Sequence, residues 1–388
     1  MKCILIFSIS YFPFIGGAEI AVKEITNRIK DFEFDLITAR FDRKLSKYEK
    51  IGNVNVYRIG WGSILDKYFF PLFGLLKALS LQRKRKYSLS HAIMASRAGA
   101  AAFLFKLFHP KVPLLLTLQE GDAPEYMRKR IGIFYPFYRL FFRKVDFIQA
   151  ISQYLVNYAK EMGAGCPIKI VPNGVDLEKF KIQDSVEVES LRQFLKIKKG
   201  EKIIITASRL VEKNALDDLI RALKELPITY RSQIKLLILG EGWLKTYLQE
   251  LVRSLNLQNQ VLFLDHINHK DLPRYLNLSD IFIRPSLSEG LGSSFLEAMA
   301  CGLPIIATPV GGIPDFLKDR EAGLFCEVRN PKSIAEKIIE LLTNDNLREA
   351  IIRKSLNLIR ENYNWEKIAK EMKNVYRKAE SQINLQRS

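Results

Sequence analysis

Short apolar runs alternate with amphipathic stretches along most of the chain. Residues 2–7 are apolar with little alternation, which predicts a strand buried on both faces, and 34–38, 54–59, 92–95, 114–117 and 147–152 are further strand candidates. The rhythm returns at 202–206, 235–239, 261–264, 280–284 and 304–308. Between runs the apolar spacing is helical, as at Ile20, Val22, Ile25 and Ile29, and helices are expected at 294–301, 331–342 and 365–379. Strands alternating with helices indicate an α/β chain with parallel sheets. A length of 388 residues suggests two such domains. The segment 177–200 is charged and reads as a linker with a short helix, and 42–50 reads as a charged loop.

Charge adds an asymmetry. The net charge is +18, and residues 1–172 carry 27 Lys and Arg against 13 Asp and Glu. No acid occurs between Asp66 and Glu120. Two segments interleave this charge with aromatics: Tyr68, Phe69, Phe70 and Phe73 before Arg83-Lys84-Arg85-Lys86, and Phe134, Tyr135, Phe137 and Phe141 within 128–144. Such mixtures suit an anionic lipid surface; an inward-packing helix with a solvated basic face is the competing reading. No nucleic-acid-binding motif accompanies the charge. The four cysteines, Cys3, Cys166, Cys301 and Cys326, follow no metal or disulfide spacing and favour a reducing cytosol. No signal peptide or spanning helix is expected, so the protein is expected to be cytoplasmic. The tail after Glu380 is polar and is expected to fray.

The densest chemistry lies in 285–304. A strand runs into Ser288-Glu289-Gly290-Leu291-Gly292, then a helix opens at Ser293-Ser294 and carries Glu297. Gly290 and Gly292 allow close backbone approach, and the helix start presents free N–H groups and a positive dipole end, which suits a phosphate. Glu289 and Glu297 offer acceptors to sugar hydroxyls. Together they describe a nucleotide sugar; a Gly-rich turn with two solvated glutamates describes the same residues without function. Arg209 and Lys213 follow a strand end four residues apart, a spacing able to hold a diphosphate or simply to lie on the surface. Gly240 ends another strand, and Gly16-Gly17 opens a helix after the first. Ligands of open α/β sheets bind at such strand ends. His266 and His269 read as surface histidines.

Glu289 and Glu297 with seven residues between them, Glu297-Ala298-Met299-Ala300-Cys301-Gly302, and Thr308-Pro309-Val310-Gly311-Gly312-Ile313-Pro314-Asp315 resemble the E-x7-E signature of family 4 glycosyltransferases. The resemblance spans most of 1–379, strong at 200–345 and weak at 40–110. It implies a GT-B fold, two Rossmann-like doubly wound domains facing a central cleft. The implied boundaries are 1–172, a linker at 173–200, and 201–361, with a helix at 362–380 crossing back. It implies retaining sugar transfer from a nucleotide-diphosphate sugar to a lipid-linked or glycan acceptor at the cytoplasmic membrane face, without metal or other cofactor.

In the roles so implied, Arg209 and Lys213 meet the diphosphate, Glu289 holds the sugar and Glu297 the ribose. Gly16, Gly17, Gly240, Gly290, Leu291, Gly292, Ser293 and Ser294 line the donor, with backbone near His266 and Ile267 beside the base. The family's Thr-x-His-Gly-x-Asp appears as Thr117-Leu118-Gln119-Glu120-Gly121-Asp122, so Gln119 replaces a histidine and cannot carry its charge. Whether Glu120 or Asp122 faces the acceptor is left open. Asn214 stands where the family often has glycine and is expected to tolerate a left-handed backbone; Asp265 also stands at a glycine position. Gln119 leaves a second reading, a non-catalytic membrane- or partner-binding protein on a degenerate GT-B scaffold.

Overall fold

The computed structural model describes residues 1–183 and 186–385 and divides into two compact units. One is Met1–Asn173 together with the last helix, Trp365–Leu385; the other is Gly174–Asn364.

The first unit holds a sheet of eight strands: β1 Lys2–Phe7, β2 Phe32–Ala39, β3 Tyr48–Ile51, β4 Val54–Ile59, β5 Leu89–Ile93, β6 Leu114–Leu118, β7 Phe147–Ala150 and β8 Ile168–Ile170, in the order β3-β4-β2-β1-β5-β6-β7-β8. All neighbours are parallel except β3 and β4. Ile4, Leu5, Ile6 and Phe7 are fully buried, as the unalternating pattern requires of a strand covered on both faces. The last helix inserts Trp365, Ile368, Met372 and Tyr376 into the core of this unit, Tyr376 lying edge-on to Phe32.

The second unit holds β9 Lys202–Ala207, β10 Ile234–Leu239, β11 Val261–Phe263, β12 Ile281–Arg284, β13 Ile305–Ala307 and β14 Leu324–Phe325, all parallel, in the order β11-β10-β9-β12-β13-β14. This is the doubly wound order, with its switch point between β9 and β12. In the first unit the corresponding reversal lies between β1 and β5.

Several expectations change. The charged 42–50 loop contains the start of β3, an antiparallel edge strand whose charged residues hid it from an apolar-run reading. The strand expected at 92–95 is β5, three residues earlier, because Ser90 and His91 are buried despite their polarity. The short helix expected within 177–200 is Val186–Phe194, and it belongs to the second unit. Asp345–Asn362 forms a helix that was not anticipated. The final helix continues past Glu380 to Leu385; Gln386, Arg387 and Ser388, like Asp184 and Ser185 of the expected linker, lie outside the described residues.

The buried polar residues of β5 to β7 form one directional chain. Gln149 Nε2 donates to the Val171 carbonyl, Thr117 Oγ1 donates to Gln149 Oε1 at 2.6 Å, and His91 Nε2 lies 2.7 Å from Thr117 Oγ1. With its proton given to Gln149, Thr117 accepts from His91 Nε2, which leaves Nδ1 to accept from the Tyr376 hydroxyl at 3.3 Å. The imidazole is therefore neutral, and burial lowers its pKa from the usual 6.5 to about 3. The unfolded chain then takes up a proton that the native chain refuses, so stability present above pH 6.5 is lost as pH falls. The stability of the wild type relative to His91→Gln should decline by about 1.4 kcal/mol per pH unit between pH 6 and 4.5. Calorimetric melts across that range check it; parallel curves for the two proteins would remove His91 as the cause.

Candidate functional site

In the second unit the loops leaving β9 and β12 meet at the switch point. The Leu287 N–H donates to the Lys213 carbonyl at 2.7 Å, which joins the loop of Arg209 and Lys213 to that of Glu289. Arg209 is exposed and Lys213 half-buried. Asn214 Nδ2 donates to the Arg209 carbonyl at 2.6 Å, so the turn carrying both cations is braced from within. The left-handed residue here is Ala215, at φ 48°, not Asn214, which ends a 3-10 turn over Glu212–Asn214. The side chain of Asn214 is needed for its hydrogen bond rather than for backbone tolerance.

Glu289 is pinned on several sides. Its carbonyl accepts from the Gly312 N–H at 3.0 Å, and a Cβ on Gly311, at φ +57°, would lie 1.9 Å from that same oxygen. One carboxylate oxygen faces the Gly290 N–H at 3.1 Å and the other accepts from Arg284 Nη2 at 2.8 Å. Arg284 was read only as the end of a strand. It is 5% exposed, lies 4.3 Å over the Phe295 ring and donates from Nη1 to Ser294 Oγ at 2.9 Å. Burial lowers its pKa, opposed by the charges of Glu289 and then Glu297. A basic residue closing an apolar strand beside the Gly-rich turn was the available signal.

Helix Ser293–Ala300 begins after Gly292, at φ 89°, and no side chain caps its start. Its first N–H groups and Ser294 thus face the turn made by Gly290, Leu291 and Gly292. Leu291 itself is buried. Glu297 lies further along this helix, where Oε1 meets His269 Nε2 at 2.7 Å. Lys179, a pure donor, sits 2.7 Å from His269 Nδ1, so Nε2 carries the proton and donates to Glu297. His269 is thus no free surface histidine: it orients Glu297.

Gly240, at φ +130°, has the Ser208 carbonyl 2.0 Å from where a Cβ would stand, so glycine is required there by the protein's own backbone. Its N–H donates to the Asp265 carbonyl at 2.7 Å. Asp265 is left-handed at φ 47°, as a glycine position would be, and Lys245 pairs with its carboxylate. Ile267, four residues past the end of β11 with Leu264 through His266 between, is half-buried.

The remaining candidates lie in the first unit, after β1 and β6. Gly16 and Gly17 are exposed at the start of helix Gly17–Arg28, where Gly16 lacks a side-chain cap. Gln119 Oε1 accepts from the buried Asn173 Nδ2 at 3.2 Å. Glu120 is buried, and its oxygens accept from the Ala95 N–H at 2.5 Å and the Gln119 N–H at 2.9 Å. Burial raises its pKa to about 7, against the lowering by these N–H groups. Glu120 is thus a brace between the loops after β5 and β6, and Asp122, 3.8 Å from Arg130, is the more open carboxylate.

The first unit also carries exposed apolar side chains among its basic segments. Helix Asp66–Arg85 exposes Phe69, Leu72 and Leu76, and Trp61 lies edge-on to Phe69. Ile133 and Phe134 are exposed between helices Pro124–Ile131 and Tyr135–Lys144, and Phe137 is exposed on the second of these, whereas its Phe141 and Phe142 pack inward. No described helix is long and apolar enough to cross a membrane.

Two family profiles match in succession: Glycosyltransferase Family 4 over 15–179 and Glycosyl transferases group 1 over 187–358. The chain belongs to glycosyltransferase family 4. An uncharacterized glycosyltransferase of Methanocaldococcus jannaschii is 28% identical over 96% of this chain and 97% of its own length. The N-acetyl-alpha-D-glucosaminyl L-malate synthase of Bacillus anthracis is 25% identical over 95% of both. The solved structure of Anabaena HepE with UDP-glucose is 19% identical, with a TM-score of 0.81 over 97% of this chain and 100% of that one. Such likeness carries the fold, and the family member is a two-domain GT-B glycosyltransferase.

Gly240→Ala should cost this glycosyltransferase about 2 kcal/mol or more, since both the backbone angle and the Ser208 carbonyl oppose a side chain. A melting temperature within about 2 °C of wild type, against the roughly 4–8 °C that such a loss gives in a domain of this size, would show that the β9–β10 contact gives way.

Proposed function

We propose that the enzyme transfers a sugar from a nucleotide-diphosphate sugar to an acceptor hydroxyl with retention at the anomeric carbon. The observation that carries this is the Leu287–Lys213 hydrogen bond, which ties the cation loop to the carboxylate loop at the switch point of one sheet. Arg209, Lys213 and the open start of helix Ser293–Ala300 receive the diphosphate and stabilise it as it leaves. Glu289 holds the hydroxyls of the transferring sugar, and Glu297, steadied by His269, holds the ribose. The bond from the anomeric carbon to the diphosphate oxygen breaks as the acceptor oxygen bonds the same face, and a phosphate oxygen takes the acceptor's proton. No metal is assigned a step, so transfer is expected to withstand a chelator.

The acceptor reading is a lipid-linked or surface-glycan precursor met at an anionic membrane face. The exposed rings among Lys and Arg of the first unit support it, as rings enter the interface and cations meet headgroups. The competing reading, a scaffold without catalysis, rests on Gln119; a donor that is bound and turned over argues against it.

A thermal-shift screen of UDP-, GDP-, ADP- and dTDP-sugars should find one that raises the melting temperature, since a ligand of the native state stabilises it. Glu289→Gln should fold normally and lose transfer by at least about 100-fold, the scale of a lost electrostatic contact in the transition state. Full activity in that variant would refute the donor assignment. Sedimentation with vesicles should show binding to anionic lipid that weakens with salt; equal binding to neutral vesicles would remove the electrostatic argument.

A further inference from the structure

The floor beneath the Gly290–Gly292 turn is built on a buried charge. Arg284 closes β12 at 5% exposure, and its Nε has no partner among the described residues. Its two outer nitrogens reach opposite kinds of group: Nη2 donates to the Glu289 carboxylate at 2.8 Å and Nη1 to the Ser294 hydroxyl at 2.9 Å. The guanidinium lies over the Phe295 ring at 4.3 Å and so close to Gly292 that a Cβ there would come within 2.8 Å of Nη2. A buried ion pair is often replaceable by apolar side chains without loss of stability, so packing alone does not call for an arginine here.

We propose that Arg284 is a positioning residue for sugar transfer, setting the polarity of both groups that the donor meets. This rests on the reading above that the donor lodges at Glu289 and the start of helix Ser293–Ala300. An arginine only donates, so Ser294 Oγ must accept from it. The single proton of Ser294 is then turned away from Arg284 and offered to another acceptor, which at a helix start is an anion such as the donor phosphate. The same guanidinium takes one oxygen of Glu289, fixes the carboxylate plane, and leaves the other oxygen's remaining lone pair for a sugar hydroxyl. One cation thus presents a donor to the phosphate and an acceptor to the sugar. Lysine is not equivalent, because a point ammonium cannot hold two partners in a fixed fork.

The test uses the full chain and whichever of UDP-, GDP-, ADP- or dTDP-glucose raises the wild-type melting temperature most, with release of the nucleoside diphosphate as the readout. Arg284→Met should lower kcat by roughly 10- to 100-fold, the usual effect of removing a partner that orients a functional group. KM should change much less, because the donor-contacting groups remain. Arg284→Lys should recover part of kcat. The loss from Ser294→Ala should be smaller in the Arg284→Met background than in the wild type, because both changes remove the same oriented hydroxyl. A folded Arg284→Met with kcat within twofold of wild type, or losses from Arg284→Met and Ser294→Ala that multiply as independent effects, would overturn the proposal. If Arg284→Met does not fold, Arg284→Lys alone and with Ser294→Ala carries the same comparison. Glu289→Gln at full activity defeats the donor reading itself; an inactive Glu289→Gln beside a fully active Arg284→Met defeats only the role of Arg284.

Discussion

A single backbone hydrogen bond, Leu287 N–H to Lys213 C=O, holds the second unit's chemistry in one place. It is possible because β9 and β12 are neighbours in a sheet whose winding reverses between them. Helices leaving the two strands go to opposite faces at such a reversal, which leaves an opening at the strand ends where the two loops meet. The loop with Arg209 and Lys213 and the loop with Glu289 form the two sides of that opening, although more than seventy residues separate them in sequence. Remove the reversal, and a helix would cover the strand ends.

Beneath this arrangement the site is stabilised from behind rather than from solvent. Asn214 braces the Arg209 turn, Gly311 and Gly312 lie against the Glu289 backbone, and Arg284 and His269 hold the two carboxylates. Each support is local to the second unit and satisfies a polar group that would otherwise be left to water. The first unit is organised the same way on its own strand ends, where Glu120 spends both carboxylate oxygens on the backbone of the β5 and β6 loops. A carboxylate so occupied costs desolvation, which its raised pKa records, and contributes rigidity instead of a contact.

Much of this was legible along the chain. Unalternating runs such as 2–7 and 235–239 predict buried parallel strands because each strand is covered on both faces, a requirement that composition alone expresses. The same holds for the Gly-rich turn and the helix at Ser293, whose residues are selected by local backbone geometry. Where polar residues sit inside, the pattern misleads: β5 is displaced by Ser90 and His91, which are buried with partners at Pro113 just before β6, at Thr117 of β6 and on the last helix. The edge strand β3 was missed because its outer side faces water and so carries charge.

The sequence by itself therefore determined the class of fold, the turn chemistry at Gly290 and Gly292, and the family to which the chain belongs. The first two depend on neighbours a few residues away. Only the tertiary structure decided that Arg284 backs Glu289 and Ser294, that His269 with Lys179 holds Glu297, and that Glu120 is a brace while Asp122 stays more open. These are pairings between separate strands and loops, and the register that brings them within hydrogen-bond reach comes from sheet order and core packing, not from spacing along the chain.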